Sequence, residues 1–295
     1  MTAWGPILAT TDFSGPARHA VDRAAHLAHE TGSPLSVMHV MPGEVLAELR
    51  RWLGTGHASE SQLAQANRQQ LQQLVDAVGT ARGITAKPVQ TNGSVLEEIR
   101  READALDAAL LVVGARGAGF MRRLVLGSTS ERLLRRTTRP VLVVRQTPHE
   151  PYRRVLVALD FSPWSAQAVA VAQRVAPQAH CVLFTAYEVP FGDKLRYAGV
   201  DEATIEHYRV QARADATQRV NALAAQAALL PGRWEACVVE GEASQRIVEQ
   251  EQERDCDLVV LGKHGRSATE DLLLGSVTKH VLAEGSVDVL VSTAR

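Results

Sequence analysis

Apolar residues fall along this chain in short unbroken runs, separated by longer stretches in which apolar and polar positions alternate with a helical period. The first half gives strands at 7–10, 35–40, 85–91, 109–113 and 141–144. Most of these runs lack the alternation of a half-exposed strand, as expected when helices cover both faces of a sheet. Pro88 places the third strand at an edge, where a missing N–H costs no ladder bond. Between the strands lie four helical patterns. The first opens at Ser14, carries Ala17, Ala20, Val21, Ala24, Ala25, Leu27 and Ala28 on one stripe, and ends at Gly32 and Pro34. The second covers 59–81, with Leu63, Ala66, Leu71, Leu74, Val75 and Val78 as its buried side. The third runs to residue 105 from Ser94, which forms a capping box with Glu97, and the fourth covers 128–137. Strict alternation of strand and helix predicts a doubly wound parallel α/β sheet.

A linker at 146–152, with Pro148 and Pro151, ends this pattern, and the pattern then restarts. Strands are expected at 155–159, 180–187, 234–240, 258–261 and 287–292, and helices at 166–176, 201–229, 244–254 and 276–283. Ser162 stands at the N-cap of the first of these helices, with Pro163 at its first position. Asp12 and Asp160, Gly114 and Gly262, and Gly127 and Gly275 are each 148 residues apart. Anchors so far apart that keep one offset indicate a duplicated domain, with boundaries at 1–147 and 152–295. The total of 295 residues suits two domains. Less regular excursions, 41–57 and 188–200, interrupt both copies after the second strand.

Composition narrows the field without redirecting it. At 45% hydrophobic and 22% charged the chain is an ordinary globular one, and a net charge of −1 gives no reason to expect nucleic acid or an anionic membrane as partner. The copies differ in charge: 17 Lys and Arg against 13 Asp and Glu through Thr147, then 15 against 20. Cys181, Cys237 and Cys256 lie in or beside apolar runs with no metal-ligand spacing, and read as buried free thiols. No basic, apolar leader opens the sequence and no run approaches the ~18 apolar residues of a membrane span, so a cytoplasmic location is expected.

The candidate chemistry sits where the fourth strand of each copy ends. Gly114, Gly117, Gly127 and Ser128 follow one apolar run; Gly262, Gly265, Gly275 and Ser276 follow the other, so G-x2-G-x9-G-S occurs twice. Glycines let backbone N–H groups approach an anion, and a helix that begins at Gly-Ser aims unpaired N–H groups and its dipole at the same place. The loop is not a Walker A motif, because Gly262-Lys263 is followed by His264. Nor is it a dinucleotide fingerprint, because Arg122 stands where the third glycine would be. Ser128 and Ser276 also suit plain helix caps, and Asp12 and Asp160 also suit turn carboxylates. Arg116, Arg122, Arg123, Arg132, Arg135, Arg136 and Arg139 surround the first loop. The second has Lys263, Arg266 and Lys279 against Glu270, Asp271 and Glu284. On charge alone, the first loop should prefer the more highly charged ligand.

The doubled glycine spacing, joined to strands that end Thr11-Asp12-Phe13-Ser14 and Leu159-Asp160-Phe161-Ser162, resembles tandem universal stress protein domains over nearly the whole chain. The resemblance implies two five-stranded parallel sheets in the order 3-2-1-4-5, of the adenine nucleotide alpha hydrolase-like type. Each would bind ATP, ADP or AMP, with Mg²⁺ as an accompanying ion. Carried over by motif, Gly114, Gly117, Gly127, Ser128 and Thr129 would hold phosphates and ribose, with Thr11, Asp12 and Val40 near the base. The second copy would use Gly262, Gly265, Gly275, Ser276 and Val277, with Leu159, Asp160 and Ala186. Two departures set the second copy apart: Ala186 is small where a valine would line the base, and Asp288 replaces the proline that precedes the last strand at Pro140. The implied function is stress-response regulation through nucleotide occupancy, with the two copies paired as a pseudo-dimer, dimerisation between chains, and a protein partner the sequence does not name. The alternatives are a slow ATPase or autophosphorylating enzyme, for which no catalytic residue is recognisable, and a nucleotide-independent scaffold.

Overall fold

The computed structural model describes residues 4–44, 51, 57–115, 117, 126–188, 200–263 and 274–293, with only the backbone over 57–60. The chain divides into two compact units, Met1–Pro151 and Tyr152–Ala294. In the first, β1 (Ile7–Thr10), β2 (Leu35–Pro42), β3 (Ala86–Gly93), β4 (Leu110–Gly114) and β5 (Val141–Val144) alternate with α1 (Gly15–Thr31), α2 (His57–Arg82), α3 (Val95–Ala105) and α4 (Ser128–Arg136). All pairings are parallel: β1 with β2 and with β4, β2 with β3, and β4 with β5. Registers Ile7↔Leu35 and Ile7↔Leu110 put β1 in the middle, so the winding reverses between β1 and β4. Pro88 lies in β3, which pairs with β2 alone among the described residues.

Helix α1 is held by its buried stripe. Every apolar position predicted for that stripe is buried, and Ser14 accepts the Ala17 N–H at 3.4 Å as its cap. Arg23 and His26 are buried on the same helix, and Arg23 Nη1 donates to the Glu150 carbonyl at 2.8 Å. Helix α2 departs from expectation. Leu71, Val75 and Val78 are buried, but Leu63 and Leu74 are half-buried and Ala66 is exposed. A helix of 26 residues is about 39 Å long, whereas the eight residues of β2 or β3 span only about 26 Å. The amino-terminal end of α2 therefore runs past the strands, although Ala64 O still accepts from Gln90 of β3 at 3.1 Å and Asn67 Nδ2 lies 3.8 Å from Met41 Sδ of β2. The predicted capping box is also absent: Ser94 occupies the N-cap of α3 without a side-chain hydrogen bond, and Glu97 instead accepts from Arg100 at 3.1 Å.

The second unit repeats the plan with β6 (Arg154–Ala158), β7 (His180–Tyr187), β8 (Trp234–Glu240), β9 (Leu258–Gly262) and β10 (Asp288–Ser292). Its helices are α5 (Pro163–Val175), α6 (Glu202–Gln226), α7 (Ala243–Glu253) and α8 (Ser276–Glu284). Strand β6 pairs with β7 and β9, β7 with β8, and β9 with β10, all parallel. The missing proline does not cost the last strand: β10 pairs with β9 over five residues, Asp288↔Leu258 to Ser292↔Gly262. Two buried carboxylates stand where the first unit has Ala103 and Pro140. Glu251 Oε1 accepts from Ser286 N and Oγ, both at 2.7 Å, and from Val287 N at 3.2 Å. Asp288, fully buried, accepts from the Tyr152 hydroxyl at 2.6 Å. Three hydrogen bonds to Glu251 Oε1 and one to Asp288 Oδ2 fix the entry to β10 that proline stiffens in the first unit.

All three cysteines are buried free thiols. Burial pushes each thiol up, Cys256 to about 12. No described helix is long and apolar enough to cross a membrane.

His26 makes the first unit sensitive to acid. Its buried Nε2 has no hydrogen-bond partner, and burial, followed by the charge of Arg82, holds its pKa below the ordinary histidine value. The unfolded chain therefore binds a proton that the folded one resists. Stability is full above the unfolded value of about 6.5 and falls as pH drops below it. Burial pushes the Glu30 carboxyl up, which has the opposite sign: stability from that group is lost as pH rises through its folded pKa. The urea midpoint of the first unit should fall between about pH 7.5 and pH 5.5, and His26→Leu should flatten that dependence. An unchanged slope in the variant would assign the acid sensitivity elsewhere.

Candidate functional site

Strand β1 ends in a turn that uses every polar group the sequence supplies. Thr11 N donates to Met38 O of β2 at 2.9 Å, and the Thr11 hydroxyl accepts the Phe13 N–H at 3.0 Å. Asp12 Oδ1 accepts the Ser14 N–H at 3.0 Å, forming an Asx turn that leads into α1. Between these bonds Phe13 adopts φ 65°, a conformation unfavourable for an L-residue with a bulky side chain. Arg18 Nε donates to the Phe13 carbonyl at 3.2 Å, and the Phe13 ring lies 4.3 Å from that of His39, one residue before the buried Val40.

The second unit builds the same turn with partly different groups. Asp160 Oδ1 accepts the Ser162 N–H at 2.9 Å and Phe161 has φ 59°. The hydroxyl of Ser165, where the first unit has Ala17, donates to Asp160 Oδ1 at 2.9 Å and accepts Asp160 N at 3.2 Å. Ser162 is the N-cap residue of α5 but makes no side-chain cap bond. The guanidinium of Arg219 on α6 lies 4.0 Å from the Phe161 ring centre. Leu159 is buried and Ala186, near the end of β7, is half-buried. The turn role of both aspartates is therefore realised.

The glycine loop is tied at its base in both units. Ala115 N donates to Val144 O at 2.9 Å, Gly127 N to Ala115 O at 2.8 Å, and the Ser130 hydroxyl to Gly114 O at 2.8 Å. The matching bonds are Lys263 N to Ser292 O at 2.8 Å, Gly275 N to Lys263 O at 3.1 Å, and Thr278 Oγ1 to Gly262 O at 3.0 Å. The loop therefore leaves and rejoins the sheet edge at one point, and α4 and α8 begin there. Gly127 and Gly275 are their N-cap residues and offer no side chain to cap either helix. Ser128 and Thr129 are exposed in the first turn of α4, as Ser276 is in α8, with Val277 half-buried.

The glycines differ in what the protein itself requires of them. A Cβ on Gly114 would stand 2.9 Å from Pro16 O and 3.0 Å from Pro16 C, so its absence lets the end of β4 touch the start of α1. A Cβ on Gly117 would stand 2.7 Å from Asp12 Oδ2, so this glycine lies directly against the turn carboxylate. On Gly275 the nearest atom would be Lys263 O at 3.5 Å, an ordinary contact, and φ is −58°. Among the described residues nothing requires that glycine.

Thr11, Asp12, Gly114 and Gly117 thus converge at the carboxyl ends of β1 and β4, with Val40 beside them on β2 and Gly127, Ser128 and Thr129 at the adjoining helix start. In the second unit Leu159, Asp160, Ala186, Gly262, Gly275, Ser276 and Val277 take the corresponding places. Gly265 lies outside the described residues, as do Arg116, Arg122, Arg123, His264, Arg266, Glu270 and Asp271. Three of the arginines assigned to the first loop are engaged elsewhere. Arg135 pairs with Glu131 at 2.7 Å and Arg136 with Glu97 at 3.6 Å. Arg139 is buried before the amino end of β5, bonded to Asp104, Asp107 and the Ala108 carbonyl. The charge contrast between the loops is correspondingly smaller than the sequence indicates. Sequence reasoning missed Ser130, Thr278, His39, Thr185 and Ser165. The first two were open to discovery, since they are hydroxyl residues at the same offset of 148.

Two parallel α/β units, each with a tied glycine loop at the strand ends where the winding reverses, define a duplicated doubly wound architecture. The chain belongs to the universal stress protein family, whose model matches residues 3–145 and again 151–293. It is 29% identical to a universal stress protein of Mycolicibacterium smegmatis, over 98% of this chain and 97% of that one. It is 28% identical to universal stress protein Rv2005c of Mycobacterium tuberculosis, over 88% and 87%. The fold matches the crystal structure of a universal stress protein from Archaeoglobus fulgidus at TM-score 0.69 and 20% identity, covering 99% of both chains. A further match, a universal stress protein from Pseudomonas aeruginosa, has TM-score 0.61 at 19% identity, covering 98% of this chain and 92% of that one.

The two kinds of glycine should behave differently on substitution. Gly114→Ala drives a methyl group into fixed backbone and should cost about 1–3 kcal/mol. Gly275→Ala should change stability by no more than about 0.5 kcal/mol, because space and φ both accept a methyl. Denaturant unfolding of the two variants makes the comparison, and equal losses would refute the distinction.

Proposed function

We propose that each unit binds an adenine nucleotide, ATP, ADP or AMP, at its glycine loop, and that occupancy of these sites is a regulatory signal in a stress response. The observation that carries this reading is the pair of helix starts whose N-cap residue is a glycine at the tied base of the loop. In the second unit neither the φ of that glycine nor the described residues around it require the absence of a Cβ. Such a glycine keeps room for something other than protein. The first-turn N–H groups and the helix dipole favour an anion there, and the exposed hydroxyls of Ser128, Thr129 and Ser276 add donors. The dipole supplies only about 0.3–1 kcal/mol at an exposed position. Hydrogen bonds to a charged phosphate supply roughly 1.5–3 kcal/mol each, so the loop and helix donors dominate. Thr11, Asp12 and Val40, with Leu159, Asp160 and Ala186, form the side on which the base would lie. Gly117 and Gly265 complete the two loops, and Mg²⁺ would accompany the phosphates.

Both aspartates are tied into Asx turns, which suits positioning better than proton abstraction and favours binding over turnover. Within one chain the two units would pair as a pseudo-dimer, and chains would associate further through the same kind of surface.

An acidic residue at the start of α4 or α8 separates binding from stability. Ser128→Glu and Ser276→Glu each place a carboxylate in an exposed first turn, where it stabilises the helix and repels a phosphate. By calorimetric titration the parent should bind two ATP per chain near the micromolar range, about −8 kcal/mol each. Each variant should lose one site while melting no lower than the parent. Mass analysis of nucleotide released on denaturation identifies the natural ligand, and incubation with Mg²⁺ tests turnover. Rapid hydrolysis would favour the enzyme; absence of any bound or titratable nucleotide would leave a scaffold.

A further inference from the structure

The carbonyl of residue 11 in the first unit, and of residue 159 in the second, belongs to the peptide that leads into the site aspartate. It lies just past the last register pairs of the sheet, Thr10↔Met38 and Ala158↔Phe184. In both units a buried side chain from the neighbouring strand reaches across to hold it. His39 Nδ1 lies 2.8 Å from Thr11 O, and Thr185 Oγ1 donates to Leu159 O at 3.0 Å. The two residues are equivalent by register, each one position beyond the partner of the last paired residue. A carbonyl only accepts, so the His39 proton on this bond sits on Nδ1 and the tautomer is fixed by the contact. An imidazole in one unit and a hydroxyl in the other make the same bond at the same point.

We propose that His39 and Thr185 are positioning residues for the two nucleotide sites, a role that rests on the nucleotide reading above. Each fixes the peptide plane from which the Asp12 or Asp160 turn departs, and so sets where the carboxylate stands. The next residue has positive φ in both units, a conformation that persists only when its surroundings over-determine it. In the first unit His39 also supplies the ring that faces Phe13; in the second the tasks are divided, with Thr185 on the carbonyl and Arg219 over Phe161. Among the described residues neither makes a hydrogen bond of its own to the loop. Its effect on ligand passes through the turn.

The test uses the full chain with the second site silenced by Ser276→Glu, titrated with ATP, and follows amide hydrogen exchange at Phe13 and Ser14. His39→Ala should weaken ATP binding about tenfold, the scale of one hydrogen bond, and speed exchange at both amides. His39→Thr should restore protection and bring affinity to within about threefold of the parent, because Thr185 already makes this bond from the same register. In the Ser128→Glu background, Thr185→Val should weaken the second site and Thr185→Ser should preserve it. A His39→Ala chain that binds ATP like its parent would overturn the assignment, as would failure of threonine to rescue. If the parent binds no ATP at all, the nucleotide reading fails on its own, and unaltered exchange in His39→Ala would remove the clamp as well.

Discussion

A strand covered by helices on both faces can show polar groups only at its ends, and this constraint governs the molecule. Strands β1, β4 and β5, and β6, β9 and β10, are buried almost throughout, so these strands offer no chemistry along their length. Everything reactive is displaced to the carboxyl edge, where β1 and β4 diverge. There the close passage of Gly114 against Pro16 brings the two strand ends, the Asx turn and the loop base into one neighbourhood. Remove that passage and the turn and the loop no longer share a position.

Duplication preserved geometry more faithfully than residue identity. The loop base is tied by Ser130 in one unit and Thr278 in the other, and the turn carbonyl is held by His39 and by Thr185. Even unfavourable backbone is repeated: Phe13 and Phe161 share positive φ, as do Asp107 and Asp255, the latter pair at φ 48° in both units. Where the second unit lost a proline before its last strand, two buried carboxylates took over. Stability there comes from hydrogen bonds to charge instead of a restricted φ.

The sequence made the elements and the repeat legible because both depend on local pattern. Alternation of apolar runs with helical stripes identifies the strands, and the Ala-rich face of α1 is buried as its period requires. What the sequence concealed depends on length and direction in space. Helix α2 has a stripe along its whole length, but only the positions of its second half, Leu71, Val75 and Val78, are buried. Arg139 is close in sequence to the glycine loop, yet the chain carries it to the opposite end of the sheet before β5 begins. Ser94 and Glu97 have the spacing of a capping box, but Glu97 turns to Arg100. His39 was hidden for another reason: within an apolar run it reads as one more core residue, and only the register shows which carbonyl it meets.

The three thiols sit in the second unit with exposures of 4%, 2% and 5%, and burial keeps each one protonated. A thiol held that way is a poor nucleophile, and an oxidant at the folded surface finds no thiolate to attack. The cysteines become reactive only when the second unit opens. Modification of these three thiols therefore records opening of the second unit.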